Sequence, residues 1–113
     1  MFWGPFARGL AEAMKIERRE DHGVITLPQE VNLNNVSEFK QAVQSLGEQD
    51  CYQIYVDCSQ LKMIDSAGLG SFVLCHKQLK KHGGGLKIAN VHHEYVKHLF
   101  DMIDLKRVIE IEE

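Results

Sequence analysis

The sequence predicts an α/β domain: a mixed, mostly parallel sheet of about five strands, an antiparallel hairpin at its start, and about three helices. Three observations predict it. Runs of β-forming residues alternate with apolar residues at helical spacing along most of the chain. A turn-forming Asp21-His22-Gly23 lies between two short β-rich runs near the start. The 113 residues suffice for one buried core, while an eight-fold α/β barrel needs about 250.

Met14–Ile16 and then Val24-Ile25-Thr26-Leu27 read as the two strands of the opening hairpin. Val36, Phe39, Val43 and Leu46 recur on one side of a helix. Asn35, followed three residues later by Glu38, predicts a capping box for it, and Gly47 its far end. Tyr52-Gln53-Ile54-Tyr55-Val56 is rich in strand formers, and a polar connector then leads to Met63-Ile64. A second helix starts near Ser66, with Leu69, Phe72, Val73, His76 and Leu79 on one face. Lys80, Lys81 and His82 suit its C-terminal dipole, and Gly83-Gly84-Gly85 stops it. Residues 86–91 form a strand, residues 94–100 a short helix, and Val108, Ile109 and Ile111 a last strand. Strands separated by helices imply parallel pairing.

Ahead of this domain, residues 1–13 form an extension in which Phe2, Phe6, Leu10 and Ala13 fall near one side of a helix. Packing on the domain is its default role; meeting a partner, self-association and a membrane surface are the alternatives. The domain proper is expected over residues 14–113.

Composition excludes several classes. A net charge of −3 argues against nucleic acid. No apolar run approaches the roughly 20 residues of a membrane span. Cys51, Cys58 and Cys75 are odd in number and form no C-x-x-C, so core thiols in a reduced, cytoplasmic protein are expected rather than disulfides or nucleophiles. The start of the chain is a poor secretion signal. Six histidines invite a metal, but His92, His93 and His98 lack ligand spacing and convincing Cys or carboxylate partners, so no metal and no cofactor is expected. His76, on an apolar helix face, reads as a satisfied, half-buried histidine. Charge is uneven: residues 29–65 carry six acids and two bases, and residues 77–98 five lysines and one glutamate. Most of these are expected on solvated faces; the sharper reading is a surface that orients a partner.

In an open α/β sheet, ligands and partners meet the loops beyond the carboxyl ends of the parallel strands. Here those loops are residues 28–35, 57–66 and 91–93. The most unusual run lies among them: Ile64-Asp65-Ser66-Ala67-Gly68-Leu69-Gly70. Two glycines in the first turns of a helix each cost about 1 kcal/mol against alanine, and they let something approach the backbone. Asp65 or Ser66 would cap this helix; a plain N-cap, and a hydroxyl presented at a helix N-terminus where a phosphate is electrostatically welcome, are both open readings of Ser66.

The run Met63-Ile64-Asp65-Ser66-Ala67-Gly68-Leu69-Gly70 resembles the signature of STAS domains, specifically of bacterial anti-sigma factor antagonists, in which Asp-Ser-Ser/Thr-Gly-Leu-Gly opens the second helix. Residues 24–32, Gly83-Gly84-Gly85-Leu86-Lys87-Ile88 and residues 96–102 resemble the same family's second strand and turn, fourth strand and third helix. The likeness covers roughly residues 14–113, so the fold it implies is the STAS fold. It implies that Ser66 is the phosphorylated serine, and that partners meet Glu30, Asn32, Asn34, Asp65, Ser66, Ala67, Gly68 and Leu69. Ala67 stands where the family has a second hydroxyl, Gln29 where it has a turn glycine, and Asn32 where it has an aspartate.

The function implied is partner switching. The unphosphorylated domain would bind a serine kinase of the histidine-kinase-like ATPase class that is also an anti-sigma factor, and so release a sigma factor. The kinase would use ATP·Mg to phosphorylate Ser66 and free itself, and a metal-dependent serine phosphatase would reset the switch. The domain itself is then not an enzyme. Two alternatives remain: a STAS adaptor in a non-sigma assembly, such as stress signalling, secretion or biofilm control or a lipid-transport ATPase, and a hydrolase using Ser66 with His92 or His93. The hydrolase would need an aligned base and an oxyanion hole, and it lacks the G-x-S-x-G elbow.

Overall fold

A computed structural model describes residues 14–112 of the chain. The expected amphipathic extension, residues 1–13, lies outside the described residues.

The opening hairpin is β1 (Lys15–Arg18) and β2 (Gly23–Thr26), paired antiparallel with Ile16 opposite Ile25. A two-residue strand β3 (Glu30–Val31) follows, then α1 (Val36–Glu48) and β4 (Gln53–Asp57). A second two-residue strand, β5 (Met63–Ile64), runs into α2 (Ser66–Lys80). The chain ends with β6 (Gly85–Ala89), α3 (Glu94–Met102), a 3-10 turn (Leu105–Arg107) and β7 (Glu110–Ile111).

The main sheet has the order β1-β2-β4-β6-β7. All its pairings after the hairpin are parallel. This is the mixed α/β sheet that the alternating periods predict. Its register explains its two faces. Ile25, Val56 and Ile88 stand side by side and are fully buried, whereas the neighbouring row of Val24, Tyr55 and Lys87 is half-buried. That alternation is the period-two pattern of a sheet with one packed face. Helix α1 buries Val36, Phe39, Ala42, Val43 and Leu46, and Phe39 meets Phe72 of α2 with ring centroids 5.1 Å apart.

Several local expectations need correction. The Asn35–Glu38 capping box does not form: Asn35 turns its carboxamide back, accepting from the Asn32 amide at 2.9 Å and donating to the Glu30 carbonyl at 2.8 Å. Folding the preceding loop is the better use of that side chain. Helix α1 runs through Gly47, and the left-handed residue beyond it is Asp50, with φ of 61°. The buried stripe of α2 is Gly68, Ser71, Phe72, Cys75 and Leu79, with Leu69, Val73 and His76 only half-buried. Small residues, which an apolar count passes over, share the packed side of α2 with Phe72 and Leu79. Val108 is exposed, and only Glu110–Ile111 pair as the last strand, because a 3-10 turn occupies the residues before it.

The glycine stop after α2 holds. Gly83 has φ of 84°, and a Cβ on Gly84 would lie 2.0 Å from the Tyr52 carbonyl oxygen. Cys51, Cys58 and Cys75 are buried free thiols; burial pushes Cys58 up to about 12 and Cys75 to about 11, which leaves neither a nucleophile at neutral pH. No helix among the described residues is long and apolar enough to cross a membrane.

Candidate functional site

The loops that the sheet-edge rule singles out do converge. The Leu27 amide donates to the Asp57 carbonyl, and the Cys58 amide to the Ala89 carbonyl, tying the ends of β2, β4 and β6 together. Asp57 also accepts from the Asn90 carboxamide at 3.2 Å and from the Ser59 amide at 3.0 Å. Burial pushes its carboxyl up, yet those hydrogen bonds and nearby His92 together hold it below the usual carboxylate value.

Above this edge sits a feature the sequence reading did not anticipate: β3 and β5 pair as a separate two-stranded parallel sheet. Val31 pairs with Ile64, both buried; Glu30 pairs with Met63, both exposed. The strands are too short for periodicity to reveal, and Met63-Ile64 read only as the residues a polar connector leads to and the start of the motif. Before them, the Gln29 carbonyl accepts from the amides of Lys62 and Met63 at 2.8 and 3.1 Å. Gln29 thus acts through its backbone, and its exposed side chain is free of that role.

Asp65 leads from this small sheet into α2. One carboxylate oxygen accepts from the Gly68 amide at 3.0 Å, capping the helix. The other accepts from the Leu33 amide at 3.1 Å, pinning the loop before α1 to the start of α2. In the same loop, Asn32 accepts from the Asn34 amide at 2.9 Å through its side-chain oxygen, an Asx turn that a carboxamide makes as well as a carboxylate.

Because Asp65 takes the cap, Ser66 is the first helical residue, and its exposed hydroxyl is free of capping. Of the two open readings, the plain N-cap therefore fails for Ser66. Its position beside the free amides of a helix N-terminus is one where added negative charge is favoured.

The other residues of the expected site sort by exposure. Glu30, Asn34 and Asp65 are exposed, Asn32, Ala67 and Leu69 are half-buried, and Gly68 is buried. The two glycines of the motif differ in role. A Cβ on Gly68 would lie 2.6 Å from Ile64 Cγ1 and 3.0 Å from Val31 Cγ1, so what approaches its backbone is the small sheet itself. A Cβ on Gly70 would meet nothing within 4 Å, so its backbone is bare to the outside, one helical turn from Ser66. Sequence reasoning missed Leu33 and Met63, which are 76% and 53% exposed on the same surface.

Among the described residues no histidine side chain hydrogen-bonds to Ser66. The histidines that hydrogen-bond through their side chains among the described residues are His22, to Asp21, and His76, whose Nδ1 accepts from the Leu86 amide at 3.0 Å. His92 and His93 line a concavity of about 400 Å³ with Gln29, Ser59 and Lys62, and Ser66 is not part of its wall. Among the described residues no group of three or more His, Cys, Asp or Glu side chains could hold a metal ion.

Comparison with known proteins decides the family. The STAS domain matches residues 13–113. The chain belongs to the STAS domain family. Its relatives include the anti-sigma-B factor antagonist of Bacillus subtilis (strain 168), 28% identical over 96 residues, which are 85% of this chain and 86% of that protein. The fold is similar to that of a candidate anti-sigma factor antagonist from Thermotoga maritima, with a TM-score of 0.76, 22% identity, and coverage of 93% of this chain and 90% of that one. It is similar too to the Bacillus cell fate determinant SpoIIAA in its phosphorylated form, with a TM-score of 0.68, 18% identity, and coverage of 89% and 92%.

Proposed function

We propose that this STAS domain is a phosphorylation-regulated binding switch, an anti-sigma factor antagonist whose control point is Ser66. With Ser66 unmodified it binds a serine kinase of the histidine-kinase-like ATPase class that doubles as an anti-sigma factor. With Ser66 phosphorylated it lets go, and a serine phosphatase restores the binding form. The observation that carries this reading is the division of labour between Asp65 and Ser66. Asp65 caps α2 and leaves the neighbouring hydroxyl exposed and available. The resemblance of the Met63–Gly70 run to antagonist signatures and the Bacillus subtilis relative support it.

Physical chemistry supports a switch that acts without unfolding. A phosphate adds about −1.5 to −2 charges, and a helix N-terminus tolerates them. The same charge on a docked surface, beside the exposed carboxylates of Glu30 and Asp65, is costly to bury. A penalty of about 3 kcal/mol weakens binding more than a hundredfold.

The test is intact mass after incubation with each candidate kinase from the same genome and ATP·Mg. One added phosphate, abolished by Ser66→Ala, is expected. Ser66→Asp is expected to lose kinase binding while keeping the wild-type circular dichroism spectrum. No phosphate with any of those kinases overturns the reading.

A further inference from the structure

We propose that Leu33 and Met63 are the apolar anchors by which a kinase grips the Ser66 surface. The kinase would carry a matching apolar recess edged by basic side chains. This rests on the reading of Ser66 as the control point; it adds Leu33, which lies outside the motif, a role for Met63, and the chemistry of the partner.

Leu33 is the most exposed large apolar side chain among the described residues, and Met63 is more than half exposed. Neither is exposed because its backbone is loose. The Leu33 amide is held by Asp65, and the Met63 amide by the Gln29 carbonyl. Both side chains are therefore presented from fixed backbone positions, Leu33 tied directly to Asp65, the residue that precedes Ser66, and Met63 on the paired strand two residues before it. An exposed apolar side chain gains by being covered, and one whose backbone is already ordered loses less entropy on binding.

The sides of this patch define what can cover it. Glu30 is the register partner of Met63, and Asp65 holds Leu33, so a carboxylate accompanies each anchor. In the two segments that form the patch, residues 29–35 and 62–66, the charged side chains are Glu30 and Asp65 against Lys62. Gly70 contributes a bare length of helix one turn beyond Ser66. The complementary surface has an apolar recess for two side chains, lysine or arginine at its rim, and room to lie close on α2. A phosphate on Ser66 would then add its charge next to Asp65, to which Leu33 is tied, in an interface that must lose its water.

The experiment measures affinity of the unphosphorylated full chain for the kinase that phosphorylates Ser66, using Leu33→Asn, Met63→Gln, Leu33→Met and Met63→Leu. Each polar variant is expected to weaken binding by about tenfold or more, with thermal melting unchanged because both sites are largely exposed. Each apolar variant is expected to stay within about threefold of wild type, the small change normal for volume-conserving swaps. Glu30→Lys is expected to weaken binding, and raised salt is expected to weaken wild type more than this variant. Wild-type binding with unchanged affinity in both polar variants overturns the anchors and leaves the Ser66 switch standing. Equal losses in the polar and apolar variants overturn apolar recognition. Absence of both binding and phosphorylation for wild type overturns the switch and the anchors together.

Discussion

The two ends of α2 are both built from glycines and a polar side chain, with opposite results. At the far end Gly84, Gly85 and His76 turn inward, while Lys80, Lys81 and His82 stay exposed. The Gly85 amide donates to the Tyr52 carbonyl at 2.9 Å, the Leu86 amide donates to His76, and Gly84 touches the backbone of β4's approach so closely that no Cβ fits. At the near end the inward work is done by Asp65 and by backbone amides, which leaves Ser66, Glu30, Leu33 and Met63 facing out. For the proposed switch, an edge that changes its charge without unfolding is best held by groups other than the one that changes. Four predictions break or sharpen that contrast.

The largest effect is expected at the closed end. Gly84→Ala would place a methyl group 2.0 Å from a carbonyl oxygen, and backbone cannot give way as a side-chain tip can. Overpacking of this kind costs on the order of 3 kcal/mol or more, or a fall in melting temperature of more than about 10 °C for a domain of this size. Thermal or urea unfolding measures it. A wild-type midpoint would show that the close approach of Gly84 to Tyr52 is dispensable.

Gly68→Ala, at the open end, is the next largest. Its methyl group would press on Ile64 and Val31, whose side chains are buried but can shift. A cost of about 1–3 kcal/mol for the crowding is reduced by about 1 kcal/mol of helix propensity. The variant should be only mildly less stable. It should bind the kinase less well, because the displaced strands carry Glu30 and Met63. Full binding with reduced stability would show that the small sheet does not set the docking surface.

How much of this was legible in the sequence depends on length scale. The helices and the main sheet were legible because each spans enough residues to show a period: Ile54 and Val56 alternate with Tyr55, and Val36, Phe39, Val43 and Leu46 mark one face. The candidate serine was legible as a motif. The pairing of β3 with β5 was not, since two residues carry no period and their partners lie 33 positions apart. Nor was the role of Asn35, whose spacing to Glu38 matched a capping box while its side chain folded a loop instead. Leu33 escaped notice because an exposed apolar residue shows itself only once the surface is known.

The third prediction concerns pH at the closed end. Burial, and then the charge of Lys80, lower the affinity of His76 for a proton below that of an ordinary histidine. The ring must stay neutral for Nδ1 to accept from the Leu86 amide. The unfolded chain therefore binds the proton more readily, near pH 6.5. The stability that His76 contributes is complete above that value and is lost as pH falls through the lower folded-state value. Urea midpoints between pH 8 and pH 5 should fall for wild type, and fall less steeply for His76→Gln. Parallel curves would show that the His76–Leu86 bond is not coupled to folding.

The smallest effect on stability is expected at Gly70, and its sign is reversed. Nothing stands within 4 Å of the position a Cβ would take, and the residue lies inside α2. Gly70→Ala should therefore stabilise the domain by up to about 1 kcal/mol. If the bare backbone one turn from Ser66 is there so that a partner can lie close, the same variant should bind the kinase less tightly and be phosphorylated more slowly. A bulkier Gly70→Leu should extend both losses. Opposite movements of stability and binding at one exposed residue separate a surface shaped for a partner from one shaped for folding. A Gly70→Ala variant that gains stability and keeps full binding would remove Gly70 from the docking surface and confine it to Ser66, Glu30, Leu33 and Met63.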